Sequence, residues 1–415
     1  MSKTYHLRPF KRPGQTRTFA MRAINTVGKV APRFRRPDAD ELWAAVSRTL
    51  WVEQGLQVEA DTNARQALTQ LVDSMNSTAQ LNFIGRTAAF DDSRRMALNH
   101  LRIQALLESQ PAILNTVLPE PIFVIGLPRT GTTYLHTLLA QDPRHRSIPY
   151  WESYDPIPPS KGPDRRIARL TRMLAQMDQL APNYQAIHPM TAQSTEECVA
   201  LFMNNFRTIQ FDIQYRVPQY VAWIQAQDAA IAYHGYLQQL KIIQHFRPAG
   251  ERFVLKDPAH TLHLRTILQV FPDARFVFTH RDPAKSVSSM CSLYANTRAM
   301  FSDAVDTGAI GEEVLNGYWP VGLAQAMAIR ESLPPWRYAD VRQMDLRNKP
   351  LDTVSSAYAQ LGLAFDDIAH TALQRYLDAD AQLPRHRHEH SPQGFGLSAA
   401  GIRERLQPYV DAFDL

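Results

Sequence analysis

Apolar positions over residues 38–112 recur at helical spacing. Leu42, Val46 and Leu50 share one face, as do Leu68, Leu71, Val72 and Met75. Asp38 and Asp40, just before Glu41, read as a cap and an acidic first turn. Asp91 and Asp92 precede another periodic stretch, with Met96, Leu98, Leu101, Ile103 and Leu106, and are expected to open it. Pro119 and Pro121 break the pattern. Ile122-Phe123-Val124-Ile125 then forms a short β-branched and aromatic run between Pro121 and Gly126, which suits a fully buried parallel strand. Thr133, Leu135, Leu138 and Leu139 return to helical spacing. Two more strands are expected over 252–256 and 274–279, with a helix from Thr261 to Phe271 between them. Alternating strands and helices predict an α/β protein with a parallel sheet flanked by helices. Residues 165–250 and 298–333 are mainly helical and are expected to cap the sheet. A further strand is expected around Trp336 to Met344, and a helix over 351–361.

Composition narrows the class. The chain has 415 residues, 45% hydrophobic and 20% charged, which excludes a disordered or fibrous protein. No apolar run approaches the roughly 18–20 residues of a membrane span. The beginning of the chain lacks the apolar core of a secretory signal. Cys198 and Cys291 are too few for a disulfide framework and show no C-x-x-C spacing. A soluble, cytoplasmic protein is the expectation. Ten bases and no acid fall within residues 1–37, leaving 35 bases against 40 acids elsewhere. The basic character therefore belongs to an N-terminal arm, either a solvated or packed tail or a contact for an acidic partner or anionic membrane. Aromatic residues are not interleaved there, so nucleic-acid binding is not expected. The organisation expected is a basic arm over 1–37, a helical region over 38–118 and an α/β domain over 119–415, its helical cap at about 165–250.

The strongest chemical signal is Gly126-Leu-Pro-Arg-Thr-Gly-Thr-Thr133, set between a strand and a helix. Backbone N–H groups of such a loop converge on a phosphate, and the helix N-terminus adds partial positive charge. Gly126 and Gly131 keep the G-x-x-x-x-G spacing, but Thr132 stands where nucleotide triphosphatases carry lysine, and Thr133 takes the hydroxyl position. Hydrolysis of ATP or GTP is therefore disfavoured. Arg129, inside the loop, remains to neutralise a terminal anionic group.

Residues 121–136, P-I-F-V-I-G-L-P-R-T-G-T-T-Y-L-H, resemble the 5′-phosphosulfate loop of sulfotransferases that use 3′-phosphoadenosine-5′-phosphosulfate (PAPS), in the bacterial branch with P-R-T-G-T-T. F-V-F-T-H-R-D-P-A-K-S-V-S-S, residues 276–289, resembles the family's 3′-phosphate element. R-F-V-L-K-D-P-A-H, residues 252–260, is similar to the L-K-x-P-x-H stretch, and H-E-H-S-P-Q-G-F-G-L, residues 388–397, to the C-terminal signature. In order and spacing the similarity covers roughly residues 40–410. It implies a P-loop-like sheet, PAPS as donor and no metal. Arg129, Thr130, Gly131, Thr132 and Thr133 would hold the 5′ end, and Arg281 and Ser289 the 3′-phosphate. Arg387 and His388 would add contacts from a tail lying over the nucleotide. The tail also reads as a solvated basic stretch or, through His386, His388 and His390, as a metal tract. Gln343, in V-R-Q-M-D-L, replaces the aromatic residue that relatives place near the adenine.

Sulfuryl transfer, like phosphoryl transfer, is mostly positioning and charge neutralisation. Arg129, Thr132 and Thr133 are the leaving-group contacts, and Lys256 is either a further one or a surface strand-end residue. Two general bases compete. His260 lies where the cytosolic relatives carry their catalytic histidine, and Glu152 lies near the glutamate of carbohydrate-directed relatives. His136 reads as a helix-face residue. The function expected is transfer from PAPS to a hydroxyl or amine of a small molecule, lipid or glycan. A nucleotide kinase or NTPase with a degenerate loop and an inactive nucleotide-binding relative are the alternatives. An aromatic and methionine-rich cap, including Met173, Phe202, Phe211 and Trp223, suits an apolar acceptor pocket as well as an ordinary core.

Overall fold

The computed structural model describes residues 5–7, 17–29, 37–180, 190–382 and 386–415, with backbone alone for 5–7, 29, 180 and 386–388. The strands are β1 Tyr5–Leu7, β2 Glu120–Ile125, β3 His145–Arg146, β4 Arg252–Lys256, β5 Arg275–His280, β6 Tyr338–Arg342 and β7 His386–His388. Five of them form one parallel sheet in the order β3-β4-β2-β5-β6.

Side chains alternate across this sheet, and each set has its own partner layer. Phe123, Ile125, Phe253, Leu255, Phe276 and Phe278 face one side, against Tyr233, Tyr236 and Leu240 of the helix Ala229–Phe246. Ile122, Val124, Val254, Val277 and Val341 face the other, against α5 (Thr132–Leu139) and the helix Pro350–Gln360. Both faces are therefore apolar, and β2 reads as a continuous hydrophobic run for that reason.

The N-terminal helices are α1 Phe19–Lys29, α2 Ala39–Gln54, α3 Thr62–Thr78 and α4 Phe83–Ser109. Asp38 accepts from Glu41 N–H at 2.9 Å and caps α2, as its position predicts. The helix expected to open at Asp91 opens earlier. Asn82 accepts from Gly85 N–H at 2.8 Å, and one 27-residue helix runs through the two aspartates. The apolar faces of α2, α3 and α4 share a core with Phe206, Phe211 and Tyr220, so this layer supports the segment that covers the sheet.

Two other boundaries depart from the periodicity. Pro258 and the Asp257 cap start a 3-10 turn, Pro258–Leu262, before a short helix Leu264–Val270, in place of one helix from Thr261. Strand β6 stops at Arg342, and Gln343 begins a helix to Asn348. Within the basic arm, Arg17 Nε donates to Ala299 O at 2.7 Å, and Met21 packs on Met300. Strand β1 pairs in parallel with β7, bringing Tyr5 opposite His386. Residues 1–4, 8–16 and 30–36 of the arm lie outside the described residues. No helix among those described is long and apolar enough to cross a membrane.

Gly126 ends β2 with φ of 140°, and a Cβ there would lie 2.5 Å from Thr279 Oγ1 and 2.6 Å from Thr279 O. Gly126→Ala is expected to destabilise the protein by at least ~2 kcal/mol through strain and collision. A urea denaturation midpoint unchanged from wild type would refute this.

Candidate active site

The register decides which loops meet. Val124 pairs with Lys256 and Ile125 with Phe278, so the segments leaving β2, β4 and β5 emerge side by side at one sheet edge. Ligands of open α/β sheets bind at such carboxyl ends. Three threonine hydroxyls tie the first segment to its neighbours. Thr261 Oγ1 accepts from Gly126 N–H at 2.9 Å and donates to Gly126 O at 3.0 Å. Thr130 Oγ1 donates to Leu127 O and lies 2.6 Å from Thr279 Oγ1. Thr279 Oγ1 also lies 3.2 Å from Ile125 O. Thr130 is fully buried, and its hydroxyl shapes the loop. Arg129 and Gly131 take positive φ of 71° and 96°, and α5 starts at Thr132 without a side-chain cap.

Two arginines stand together here. Arg281 Nη1 donates to Arg129 O at 2.7 Å, and Arg129 Nε donates to Ser289 Oγ at 3.2 Å. Arg281 and Ser289, eight residues apart, thus reach the same loop residue. Asp282 is turned away, accepting Ala284 N–H and Arg403. Among the described residues no carboxylate lies within ion-pair distance of Arg129 or Arg281. Burial lowers the pKa of both guanidiniums. Arg281 depresses Arg129 further, while Glu197 opposes the shift. Arg281 Nε is buried with no partner.

Lys256 is no surface lysine. It is fully buried, and Nζ donates to Thr133 Oγ1 at 3.1 Å and to Glu197 Oε1 at 2.5 Å. Glu197 escaped sequence reasoning. It is brought in by Cys198 N–H, which donates to Lys256 O at 2.9 Å, a long-range contact that no local pattern announces. Thr132 is buried beside the loop and Thr133 is exposed.

Two cavities meet at this edge. The smaller, about 350 Å³, is lined by residues 128–134 except Thr130, with Glu197, Asp257, Arg281, Trp319 and Gln343. Trp319 and Tyr134 bring aromatic surface to the cavity that Gln343 borders. The larger, about 800 Å³, lies under the helical cap and is lined by Phe202, Ile224, Tyr233, His260, Leu262 and His263, among others.

The two base candidates separate. His260 lines the larger cavity, with Nδ1 at 2.8 Å from the Tyr233 hydroxyl and its ring edge-on to Phe123 at 5.0 Å. Burial, with smaller effects of His263 and Lys256, lowers its pKa to about 3, so the imidazole is neutral. Glu152 borders neither cavity. Its carboxylate is buried and holds two arginines, Arg146 Nη2 at 3.2 Å and Arg247 Nε at 3.1 Å. Burial raises its pKa, and those guanidiniums pull it back. Its partners hold Glu152, expected as a candidate base, in a buried ion cluster away from both cavities. His136 is also buried, 3.0 Å from Val254 O, between α5 and the sheet. The side chains of Arg387 and His388 lie outside the described part of the structure. His390, two residues on, is 2.9 Å from Ser288 Oγ, on the helix that carries Ser289.

A model of the sulfotransferase family matches residues 121–367, a span that contains β2 to β6 and both arginines. The chain belongs to the sulfotransferase family. It is an enzyme that transfers sulfuryl groups. It is 26% identical over 277 residues to the omega-hydroxy-beta-dihydromenaquinone-9 sulfotransferase Stf3 of Mycobacterium tuberculosis (strain CDC 1551 / Oshkosh), covering 64% of this chain and 69% of that protein. The crystal structure of sulfotransferase STF1 from Mycobacterium tuberculosis H37Rv is similar with a TM-score of 0.78 at 28% identity, over 91% of this chain and 100% of the other. Sulfotransferase STF9 from Mycobacterium avium shares the fold with a TM-score of 0.81 at 23% identity, over 92% and 98%. The α/β fold with its P-loop-like sheet, expected from the strand pattern, is thereby shown.

Glu152→Gln in this sulfotransferase is expected to leave Arg146 buried and under-compensated, at a cost of about 3 kcal/mol. Thermal denaturation should register the loss while nucleotide affinity stays within twofold. Loss of nucleotide binding in a variant with unchanged Tm would return Glu152 to the active site.

Proposed function

We propose that this sulfotransferase takes its sulfuryl group from PAPS and passes it to a hydroxyl of a largely apolar small molecule or lipid. The observation that carries the donor is the pair of adjacent guanidiniums, Arg129 and Arg281, over a glycine loop, with no carboxylate among the described residues within ion-pair distance. Two desolvated cations with unspent donors are stabilised by an anion bearing several oxygens. Thr132 at the Walker-lysine position argues for a phosphosulfate over a triphosphate. In this reading Arg281 and Ser289 hold the 3′-phosphate, and Arg129, the backbone of Thr130 and Gly131, Thr132 and Thr133 hold the 5′ end. Lys256 stands at the sulfuryl group, released from Glu197 as negative charge arrives. The bound donor supplies the sulfuryl group; the chain supplies orientation, charge and exclusion of water.

The acceptor proposal rests on the larger cavity, whose Phe202, Ile224, Leu262 and Tyr318 suit an apolar body. A relative named for a menaquinone-derived acceptor agrees with that choice. Its hydroxyl would enter past the turn 257–260, which borders the phosphate-side cavity and supplies the proton acceptor. Cys198 and Cys291 are buried free thiols, in keeping with action in the reducing cytoplasm.

Calorimetry is expected to show 3′-phosphoadenosine-5′-phosphate binding far more tightly than ATP, with no dependence on magnesium. Arg281→Ala should weaken that binding by about 1.5–3 kcal/mol, the range for bonds to charged groups. Ser289→Ala should cost less. Tight, magnesium-dependent ATP binding would overturn the donor assignment.

A further inference from the structure

The wall between the two cavities is made of Thr208, Ile209, Asp257 and Ala259, which line both. Of these four, only Asp257 carries an ionisable side chain. We propose that Asp257, at the junction of donor and acceptor cavities, is the catalytic residue that takes the acceptor's proton, and that neutral His260 is a hydrogen-bonding wall residue. This rests on the sulfotransferase reading above and deepens it.

Asp257 is placed by its backbone role. It caps the turn Pro258–Leu262, with Oδ1 accepting Ala259 N–H at 2.9 Å, which fixes the carboxylate at the end of β4. The residue is only 5% exposed, and among the described residues no cation lies within ion-pair distance of it. Lys256, its neighbour in the chain, is turned to Glu197 and Thr133. The groups around Asp257 are Glu197 and Cys198 on the adjoining segment, Lys256 on β4, and Tyr233 on the helix Ala229–Phe246, with the Tyr236 phenol behind it. Burial first and Glu197 second push its carboxyl up to about 7, against the pull of the Ala259 N–H and Lys256. A base works best when its pKa lies near the working pH. His260, lowered to about 3 within its aromatic enclosure, is far weaker.

In the step proposed, the acceptor oxygen forms a bond to sulfur. The bond from sulfur to the bridging 5′-phosphate oxygen breaks, and its electron pair stays on the phosphate. The hydroxyl proton passes to the Asp257 carboxylate and leaves to solvent after product release. Alcohol and PAPS thus yield a sulfate ester, 3′-phosphoadenosine-5′-phosphate and one proton.

Asp257→Asn keeps a cap, since asparagine also accepts a backbone N–H. With PAPS and geranylgeraniol as probe acceptor, wild-type kcat is expected to rise with pH through about 7, as the carboxyl loses its proton, and then to level. Asp257→Asn should lower kcat on the order of 10²–10⁴-fold and abolish that limb. His260→Gln should lose at most about tenfold and keep it. A second readout needs no acceptor. A carboxyl whose pKa is raised by folding contributes stability that is present below its unfolded value near 4 and is lost as pH rises through about 7. The Tm of Asp257→Asn should therefore gain on wild type across that interval. Asp257→Asn retaining the kinetic limb, or His260→Gln removing it, would overturn the proposal. A Tm difference independent of pH would do the same. Affinity of Asp257→Asn for 3′-phosphoadenosine-5′-phosphate within twofold of wild type keeps the donor reading intact when the base assignment fails. Failure of the wild type to bind that nucleotide would sink the donor reading itself.

Discussion

Two like charges held side by side away from water set the terms for the rest of the site. Arg129 and Arg281 repel one another and lose hydration, and among the described residues no carboxylate comes within ion-pair distance; Glu197 and Asp282 relieve them only in part from farther off. They are kept in place by hydrogen bonds to neutral acceptors: Arg281 to the carbonyl of Arg129, and Arg129 to the hydroxyl of Ser289. The loop resists collapse because Thr261, Thr130 and Thr279 tether it to the ends of β4 and β5. Those tethers exist only because the parallel register brings three strand ends level. Cations fixed in place before an anion arrives need no reorganisation, which is how preorganised electrostatics favours a charged transition state.

The same edge is divided by polarity. On the loop side, Arg129 and Arg281 face the cavity with Glu197, the acid that holds Lys256. Across the wall formed by Thr208, Ile209, Asp257 and Ala259, the larger cavity is mostly apolar. The division matches a reaction between a polyanion and an apolar alcohol. Burial serves both sides, sharpening electrostatics at the loop and shifting proton affinities along the turn 257–260 in opposite directions for its acid and its imidazole.

Much of the fold was legible in local patterns. The apolar run of β2, the boundaries of β4 and the Asp282-Pro283 start of the following helix all follow from short-range chemistry. The loop from Gly126 to Thr133 was legible for the same reason, since its glycines and its cation are neighbours in the chain. Where a boundary was misread, a longer contact decided it. Asn82 opens α4 early because Gly85 packs against the backbone of Phe301, leaving no room for a side chain. Strand β3, two residues long, has no periodicity to read.

Sequence alone determined four of the five strands of the sheet, the order of the loops and the residues that bear positive charge, because secondary-structure period and turn chemistry act within a few residues. Tertiary structure alone decided which ionisable groups are buried and with whom. Lys256 read equally well as exposed or catalytic until Cys198 drew Glu197 to it. Packing surrounds Glu152 with Arg146 and Arg247. It also sets Asp257, the cap of the turn after β4, between both cavities. Desolvation and ion pairing depend on what packs nearby in space, and residues far apart in the chain supply that packing here.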